Sequence, residues 1–219
     1  LWNNLGKKAA SLGTLGVVGA CNLNLSKLTT PDPIELHRLL HNLASKGINH
    51  LALEASSHGL SQYRLDGVDI QAAVFTNFSR DHLDYHRTMS DYGESKKKLF
   101  KMPGLKSAIL NLDDDFALSI INSVPKEVEI LTYSVSNDNA AIFSKKLTFT
   151  NSGYSADIHT PIGVKRISGK LIGYFNFSNI LAVIAVLIST LRRRNTGNLE
   201  LEKISVSYTH LRAHETGRN

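Results

Sequence analysis

The stretch TNFSRDHLDYH, residues 76–86, concentrates side chains that bind metals and anions. His82 and His86 lie four residues apart, and two aspartates stand beside and between them. Imidazoles and carboxylates are common metal ligands, and a carboxylate-rich setting without a usable cysteine favours Mg²⁺ over Zn²⁺. The stretch directly follows QAAVFTN, a run typical of a buried strand. The sequence therefore predicts a cation site where a strand ends, although each histidine could instead be structural.

Two more polar clusters follow predicted strands, at residues 54–64 (EASSHGLSQYR) and 111–115 (NLDDD). Glu54 closes an apolar strand, where a carboxylate is costly unless it is paired or binds a cation. A helix cap or a salt bridge is the alternative role for this glutamate. Because ligands of open parallel sheets bind at the carboxyl ends of strands, we expect residues 54–64 and 76–86 to share one rim of a sheet.

Several side chains near these clusters could hold a phosphate or a carboxylate. The cations are Arg64, Arg80 and Lys96, and the neutral donors are Thr29, Thr30 and Ser56. The mixture of acids and bases favours a metal–phosphate site over a nucleic-acid track, so no nucleic-acid partner is expected. A phosphate loop of the form G-x-x-x-x-G-K-[ST] does not occur. Residues 163–171 (GVKRISGKL) imitate it with the wrong spacing and lie in a region of alternating polarity.

The elements that would position these residues alternate between strand and helix. The first residues, LWNNLGKKAASLG, read as the end of a helix. Strands are predicted at residues 12–19, 48–56, 69–78, 106–113 and 127–135, and helices at residues 32–47, 89–101, 114–124 and 176–191. Asp32 is the expected N-cap of the first complete helix, with Pro33 in its first turn and Gly47 after its end. Residues 141–173 alternate in polarity and predict antiparallel strands.

The predicted fold class is therefore α/β, a mostly parallel sheet flanked by helices, with a small antiparallel sheet appended. The chain has 219 residues and a net charge of +6. The single cysteine, Cys21, fits a reducing compartment, and the longest apolar run, residues 180–188, is too short to span a bilayer. A cytoplasmic protein without membrane contact is expected.

Four stretches, EASSHGLSQYR, FTNFSRDHLDYH, DYGESKKKLF and GYFNFSNILAVIAVL, together resemble the Mur ligase family. Within it, the likeness is to the ligases that add the third residue of the peptidoglycan stem peptide. The resemblance covers residues 1–205 and implies the central ATPase domain, beginning after the phosphate loop and ending before the C-terminal domain. Residues 206–219 depart from this pattern and are interpreted as a non-native tail.

The resemblance implies an ATP-dependent reaction of cell-wall synthesis. ATP converts the carboxylate of UDP-N-acetylmuramoyl-L-alanyl-D-glutamate into an acyl phosphate, and the amine of a diamino acid then displaces phosphate to give an amide. The matched positions imply Mg²⁺ ligands and catalytic residues at Glu54, His82 and Lys96, with the lysine carbamylated. They imply precursor contacts at Thr29, Thr30, Ser56, Gln62 and Arg64, and ATP contacts at Asn77, Asn176 and Asn179.

These roles agree with the chemistry of the side chains. A free lysine has a pKa near ~10.4 and carries a positive charge, which makes it a poor ligand for Mg²⁺. Carbamylation removes that charge and adds an anionic oxygen. Arg64 offers planar paired donors for a carboxylate or a phosphate. His82 must be neutral to bind a metal, and a neighbouring aspartate could fix its tautomer.

Two alternatives remain open from the residues. Folylpolyglutamate synthase shares the ATPase core, although Ser56-Ser57-His58 and the Gln62-x-Arg64 pattern argue against it. A noncatalytic fragment that binds a nucleotide sugar or a metal is the other. The sequence does not distinguish diaminopimelate from lysine as the incoming amino acid, and the complete enzyme is expected to be a monomer.

The resemblance predicts that this chain by itself does not turn over, because it matches neither the phosphate loop nor the C-terminal domain. ADP release should stay at background when the chain is given ATP, Mg²⁺, UDP-muramoyl-dipeptide and either diaminopimelate or lysine. Precursor-dependent ADP release in a coupled assay would contradict this expectation.

Overall fold

The computed structural model describes residues 2–19, 28–79 and 85–193. The chain forms two compact units, each assembled from separate segments. We call residues 2–70 and 79–105 the N-terminal unit, and residues 71–78 together with those from 106 onward the C-terminal unit. The fold class is α/β, as predicted. Arg80, Asp81, His82, Asp84 and Cys21 lie outside the described residues, as does the tail at residues 206–219.

The described residues of the N-terminal unit form a three-stranded sheet and three α-helices. Its elements are β1 (Ala9–Gly13), β2 (Gly16–Val18), α1 (Pro33–Ser45), β3 (His50–Leu53), α2 (Ser57–Ser61) and α3 (Met89–Lys98). The strand order is β2-β1-β3, with β1 antiparallel to β2 and parallel to β3. The buried core residues are Ala10, Leu12, Leu36, Leu39, Leu43, Leu60 and Leu65.

The first nineteen residues differ from the prediction of a helix end followed by one strand. Residues 9–18 instead form the hairpin of β1 and β2, which turns at Thr14 and Leu15. Pairing of β1 with β3 buries Ala10 and Leu12 in the core of the unit. This burial outweighs the helix propensity of the local sequence, so the predicted helix end is wrong. The strand predicted at residues 12–19 contains β2 and the end of β1, but the turn interrupts it.

Helix α1 is confirmed with the predicted start. The side chain of Asp32 accepts hydrogen bonds from the amides of Ile34 at 2.9 Å and Glu35 at 3.0 Å, and Pro33 occupies the first turn. Leu36, Leu39 and Leu43 are buried at helical spacing. The N-cap fixes where α1 begins, and hence where the chain segment Thr29–Thr30 lies just before it.

In the C-terminal unit, the described residues form a six-stranded sheet of order β4-β5-β6-β7-β8-β9. Its elements are β4 (Ala72–Phe75), β5 (Ser107–Asn111), α4 (Phe116–Ile121), β6 (Glu129–Ser134), β7 (Ile142–Thr150), β8 (Gly153–Thr160), β9 (Gly163–Gly169) and α5 (Tyr174–Arg193). Strands β4 to β7 are parallel, and β8 and β9 are antiparallel. The predicted antiparallel strands are present, and they extend the parallel sheet because β7 pairs with the end of β6.

Among the described residues, β3 pairs with β1 and β4 pairs with β5. The prediction that residues 54–64 and 76–86 follow strands of one sheet is therefore wrong. Strand β1, which pairs with β3 in the structure, was not predicted from the sequence. Residues 163–169, which imitate a phosphate loop, form strand β9, as their alternating pattern indicated.

Helix α5 packs along the parallel strands of its unit. Near its C-terminal end, Ser189 donates a hydrogen bond at 2.6 Å to Ser107, the first residue of β5. Near its N-terminal end, the side chain of Ser178 lies close to Tyr133, near the end of β6. Among the described residues, α5 is the one helix long and apolar enough to cross a membrane, but 61% of its apolar window is buried inside the protein. That burial is what a core helix shows, so the helix is weak evidence for a membrane span.

Two buried tyrosines of the C-terminal unit provide a test of this packing. The Tyr133 hydroxyl donates to the carbonyl of Phe75 at 3.2 Å, whereas the buried Tyr154 hydroxyl has no hydrogen-bond partner among the residues that the structure describes. Burial raises the pKa of Tyr154 to about 12. We predict that Tyr133→Phe lowers the free energy of unfolding by about 1 kcal/mol, whereas Tyr154→Phe leaves it unchanged or raises it by up to about 1 kcal/mol. Denaturant titrations check the contrast, and equal losses in both variants would contradict it.

Candidate functional site

Glu54 stands immediately after β3, in the N-terminal unit, and its carboxylate is exposed. Its Oε2 accepts hydrogen bonds from the Thr14 amide at 3.1 Å and from the Thr14 hydroxyl at 3.2 Å. The Thr14 hydroxyl also lies 3.1 Å from that of Thr29. A Cβ atom on Gly13 would come within 2.6 Å of Glu54 Oε2, so a side chain at this position would require the carboxylate to shift. Because the Glu54 carboxylate is exposed, it does not incur the desolvation cost expected from the sequence. Thr14, in the turn after β1, orients this carboxylate.

Thr30 connects the end of β3 to the start of α2. Its side chain is fully buried. The Thr30 hydroxyl donates to the carbonyl of Glu54 at 2.8 Å and accepts from the amide of Ser56 at 3.0 Å. A Cβ atom on Gly59 would lie 2.8 Å from Thr30 Cβ, which explains the glycine in SSHGL. The hydroxyl therefore fixes the backbone on both sides of Ala55.

Arg64 reaches back from the end of α2 to the same residue. Its Nη1 donates to the carbonyl of Thr30 at 2.7 Å, and its Nε and Nη2 donate to Gln62 Oε1 at 3.0 and 2.5 Å. Gln62 Nε2 in turn donates to the Tyr85 hydroxyl at 3.1 Å. Among the described residues, three of the five guanidinium N–H groups donate to protein atoms.

A group of aromatic rings adjoins Gln62. The rings of His58 and Tyr85 have centroids 4.0 Å apart, and His86 lies 5.7 Å from His58 and 5.2 Å from Tyr92. Lys96 Nζ is 4.9 Å from the centre of the Tyr92 ring. His86 is buried within this group. The rings thus join the predicted precursor side chains to the helix that carries Lys96.

The structure brings the predicted precursor residues together within the N-terminal unit. Thr29, Thr30, Ser56, Gln62 and Arg64 are linked with Glu54 through the contacts above, in which Ser56 also caps α2 by accepting from the Gly59 amide at 3.0 Å. Lys96 lies on α3, which is tied to α2 by a 2.7 Å contact between the hydroxyls of Ser61 and Ser95. His82, the remaining predicted metal ligand, lies outside the described residues. Within residues 2–19, 28–79 and 85–193, no three carboxylate, imidazole or thiol side chains form a cluster that could hold a metal.

The predicted ATP residues all belong to the C-terminal unit. Asn77 follows β4, and Asn176 and Asn179 lie exposed in the first turns of α5. The contact between Ser178 and Tyr133 places the start of α5 near the carboxyl end of β6. Asn111, at the end of β5, donates to the carbonyl of Thr76 at 2.7 Å. The three asparagines therefore lie toward the same edge of this unit, where ligands of parallel sheets bind.

The third polar cluster, residues 111–115, serves the fold. The Asp113 carboxylate accepts hydrogen bonds from the hydroxyls of Ser134 and Ser136 and from the Val135 amide. Burial raises the pKa of Asp113, but these hydrogen bonds outweigh burial and leave the pKa below its ordinary value. Asp114 accepts from the amides of Phe78 at 2.6 Å and Phe116 at 2.9 Å.

Sequence reasoning missed two members of the network in the N-terminal unit. Thr14 donates hydrogen bonds to the Glu54 carboxylate. The only sequence feature that could have indicated this role is the position of Thr14 between two glycines near a predicted strand. Tyr85, which stands in the quoted stretch of residues 76–86, accepts the hydrogen bond from Gln62, and its ring lies tilted against that of His58. Neither contact is local in sequence, so spacing along the chain could not reveal them.

The chain matches a family model described as the Mur ligase middle domain over residues 2–187. It is 39% identical over 184 residues to the UDP-N-acetylmuramoyl-L-alanyl-D-glutamate–2,6-diaminopimelate ligase of Pseudomonas aeruginosa, covering 84% of this chain and 38% of that protein. A solved structure of a ligase with the same name is 34% identical, with a TM-score of 0.81, covering 96% of this chain and 42% of that chain. The chain thus spans well under half the length of these relatives.

A more distant solved structure, an FPGS–AMPPCP complex, aligns with a TM-score of 0.67 at 11% identity, over 96% of this chain and 58% of that chain. At this identity the similarity concerns the fold alone. The alternative of a folylpolyglutamate synthase therefore receives support only at the level of architecture.

Because the Thr30 hydroxyl bridges two backbone groups, we expect its removal by an almost isosteric substitution to lower the stability of the protein markedly. Thr30→Val would leave the Glu54 carbonyl and the Ser56 amide without their partner, so the free energy of unfolding should fall by about 1–3 kcal/mol. Thr29→Val is the matched control, and because that side chain is less buried we expect a change within about 0.5 kcal/mol. Urea denaturation of both variants makes the comparison, and equal stabilities would contradict the role of Thr30.

Proposed function

The chain belongs to the Mur ligase family through its middle domain, and on that premise we propose that it acts within an ATP-dependent ligase of peptidoglycan precursor synthesis. The substrate is UDP-N-acetylmuramoyl-L-alanyl-D-glutamate, and the product carries a third amino acid. Because the chain spans 38% of its curated relative, the whole reaction is proposed for the enzyme of which this chain forms the middle domain.

One observation carries the proposal, the polar network that links the five precursor residues with Glu54 in the N-terminal unit. Its fixed centre is the Thr30 hydroxyl, and its outer members are exposed or half-buried. A network that served stability alone would gain little from an exposed Gln62 amide and a half-buried Arg64 guanidinium. Its donors are held in place before any ligand arrives, which lowers the ordering cost of binding.

Arg64 is the proposed anion-binding residue of the site. The hydrogen bonds to the Thr30 carbonyl and to Gln62 hold the guanidinium plane in one orientation. The remaining N–H donors can then bind a carboxylate or phosphate of the precursor. Thr29 and Ser56 supply shorter neutral donors beside it. Each of these residues binds and orients the precursor, and none exchanges a proton with it.

The proposed reaction has two steps that the chemistry of the substrates dictates. A carboxylate oxygen of the precursor attacks the γ-phosphorus of ATP, and ADP leaves with the bridging oxygen. The amine of the incoming amino acid then attacks the acyl carbon, loses a proton, and phosphate leaves as the amide forms. Positioning and charge stabilisation contribute most to such phosphoryl transfers, which agrees with a site made of donors rather than nucleophiles.

Glu54 fits the requirements of a Mg²⁺ ligand, because its exposed carboxylate is oriented by Thr14 and hard cations prefer such oxygens. We propose that Glu54, His82 and a carbamylated Lys96 hold the ion. When bound, Mg²⁺ would neutralise charge on the phosphoryl group in transfer. Lys96 lies half-buried beside the Tyr92 ring.

Asn77, Asn176 and Asn179 are proposed to contact ATP. Their shared edge in the C-terminal unit supports this role, since amide groups at the carboxyl ends of parallel strands and at a helix start suit a nucleotide. The incoming amino acid is proposed to be 2,6-diaminopimelate, as the name of the curated relative states for that protein. We place the reaction in the cytoplasm, with a monomeric enzyme.

Binding of UDP-N-acetylmuramoyl-L-alanyl-D-glutamate to this chain tests the proposal. Calorimetry should detect saturable binding, and Arg64→Lys should weaken it about tenfold to a hundredfold, because the paired, charge-assisted donors are lost. Arg38→Lys, on the exposed surface of α1, is the matched control and should bind as the original chain does.

Equal affinity in the Arg64→Lys variant, or no binding at all, would contradict the proposal. A second titration with ATP separates the alternatives. Binding of ATP in addition to the precursor would favour a ligase domain over a noncatalytic nucleotide-sugar module.

A further inference from the structure

Tyr63 adopts a backbone conformation that side chains rarely accept. Its φ is +56°, and among the described residues only Tyr63 and Lys146 combine a positive φ with a side chain. The left-handed region crowds Cβ against the backbone and costs free energy that glycine does not incur. Such residues persist where the surrounding structure holds them, and they are frequent at functional sites.

The conformation closes helix α2 in a Schellman turn. The amide of Arg64 donates a hydrogen bond to the carbonyl of Gly59 at 2.9 Å. The amide of Tyr63 donates a longer one to the carbonyl of Leu60 at 3.4 Å. The left-handed residue of this motif is usually glycine. A tyrosine in this position therefore needs a compensating contact from its ring.

Core packing does not supply that contact, because Tyr63 is 61% exposed. The ring instead lies beneath Lys98, whose Nζ is 4.4 Å from the ring centre. This is cation–π geometry. Lys98 ends α3, the helix that also carries Lys96 and Ser95. Together with the contact between Ser61 and Ser95, the ring gives the end of α2 a second attachment to α3.

The residues on either side of Tyr63 form the anion-binding clamp. The left-handed turn brings Gln62 and Arg64 together, so that one amide oxygen accepts from two guanidinium nitrogens. A displacement of this turn relative to α3 would move the clamp relative to Lys96. Within the turn, the contact of the Tyr63 ring with Lys98 opposes such a displacement.

We propose that Tyr63 is a positioning residue, whose ring and Lys98 fix the Gln62–Arg64 clamp relative to the helix that carries Lys96. This inference rests on the proposed function, because it treats the clamp and Lys96 as parts of one substrate site. It assigns no contact with substrate to Tyr63 itself. Glycine would preserve the turn and relieve its strain, but it would release the clamp from α3.

The first experiment uses the ligand-free chain and compares Tyr63→Gly with the conservative Tyr63→Phe. We expect Tyr63→Gly to keep or raise the global stability, while amide hydrogen exchange at residues 95–99 becomes about threefold faster because an exposed cation–π contact is lost. Tyr63→Phe should restore the original exchange. Lys98→Met should accelerate exchange in the original chain and add nothing in the Tyr63→Gly chain.

The second experiment measures the affinity for UDP-N-acetylmuramoyl-L-alanyl-D-glutamate. Tyr63→Gly should weaken binding about threefold to tenfold despite its equal or higher stability, and Tyr63→Phe should restore it. Lys146→Gly also relieves a left-handed side-chain residue, but in β7, and should leave the affinity unchanged. A merely structural Tyr63 would give the opposite order, since the more stable variant would bind at least as well.

The outcomes separate the two proposals. Unchanged exchange at residues 95–99 in Tyr63→Gly, or an equal effect of Lys98→Met in both backgrounds, overturns the positioning role. Faster exchange with unchanged precursor affinity overturns it too, provided that Arg64→Lys binds weakly. If neither the original chain nor the variants bind the precursor, the proposed function fails, and the exchange data alone decide whether Tyr63 holds the turn to α3.

Discussion

The buried hydroxyl of Thr30 is the interaction on which the candidate site depends. It joins the carbonyl of Glu54 to the amide of Ser56, and the carbonyl of the same threonine accepts from Arg64. Buried polar groups are costly unless each finds a partner, so this arrangement admits few alternatives. The N-cap of α1 at Asp32 sets the threonine in place from one side, and the close approach of Gly59 completes the fit from the other.

Much of the local structure could be predicted from the sequence, because its causes are local. The Asp32 cap, the leucine stripe of α1 and the alternation of β8 and β9 are each encoded within a few residues. Strand β1 was missed because its partners, β2 and β3, decide its state more than its own residues do. Because β1 was not recognised, the segments that follow β3 and β4 were expected at one rim of a single sheet, whereas β3 and β4 pair in different sheets. The sheet to which a strand belongs is a long-range property that a local pattern does not contain.

The candidate site shows the same division. The resemblance identified Thr29, Thr30, Ser56, Gln62 and Arg64, and the structure connects them. The resemblance did not indicate that Thr14 orients Glu54, or that Tyr85 continues the chain of hydrogen bonds from Gln62. Asp113 and Asp114 looked equally suited to ligand binding in the sequence, yet backbone amides and serine hydroxyls use their oxygens. Composition shows which side chains could bind a ligand, and only packing shows which of them are already used within the fold.

The central claim is that one prearranged network around Thr30 receives the nucleotide-sugar precursor. The most direct measurement is an NMR titration of the ¹⁵N-labelled chain with UDP-N-acetylmuramoyl-L-alanyl-D-glutamate. The account predicts saturable shifts concentrated at the amides of residues 29–30, 54–64 and 85, with little change in β7 to β9. Shifts confined to the C-terminal unit, or a spectrum that does not change at saturating precursor, would contradict it.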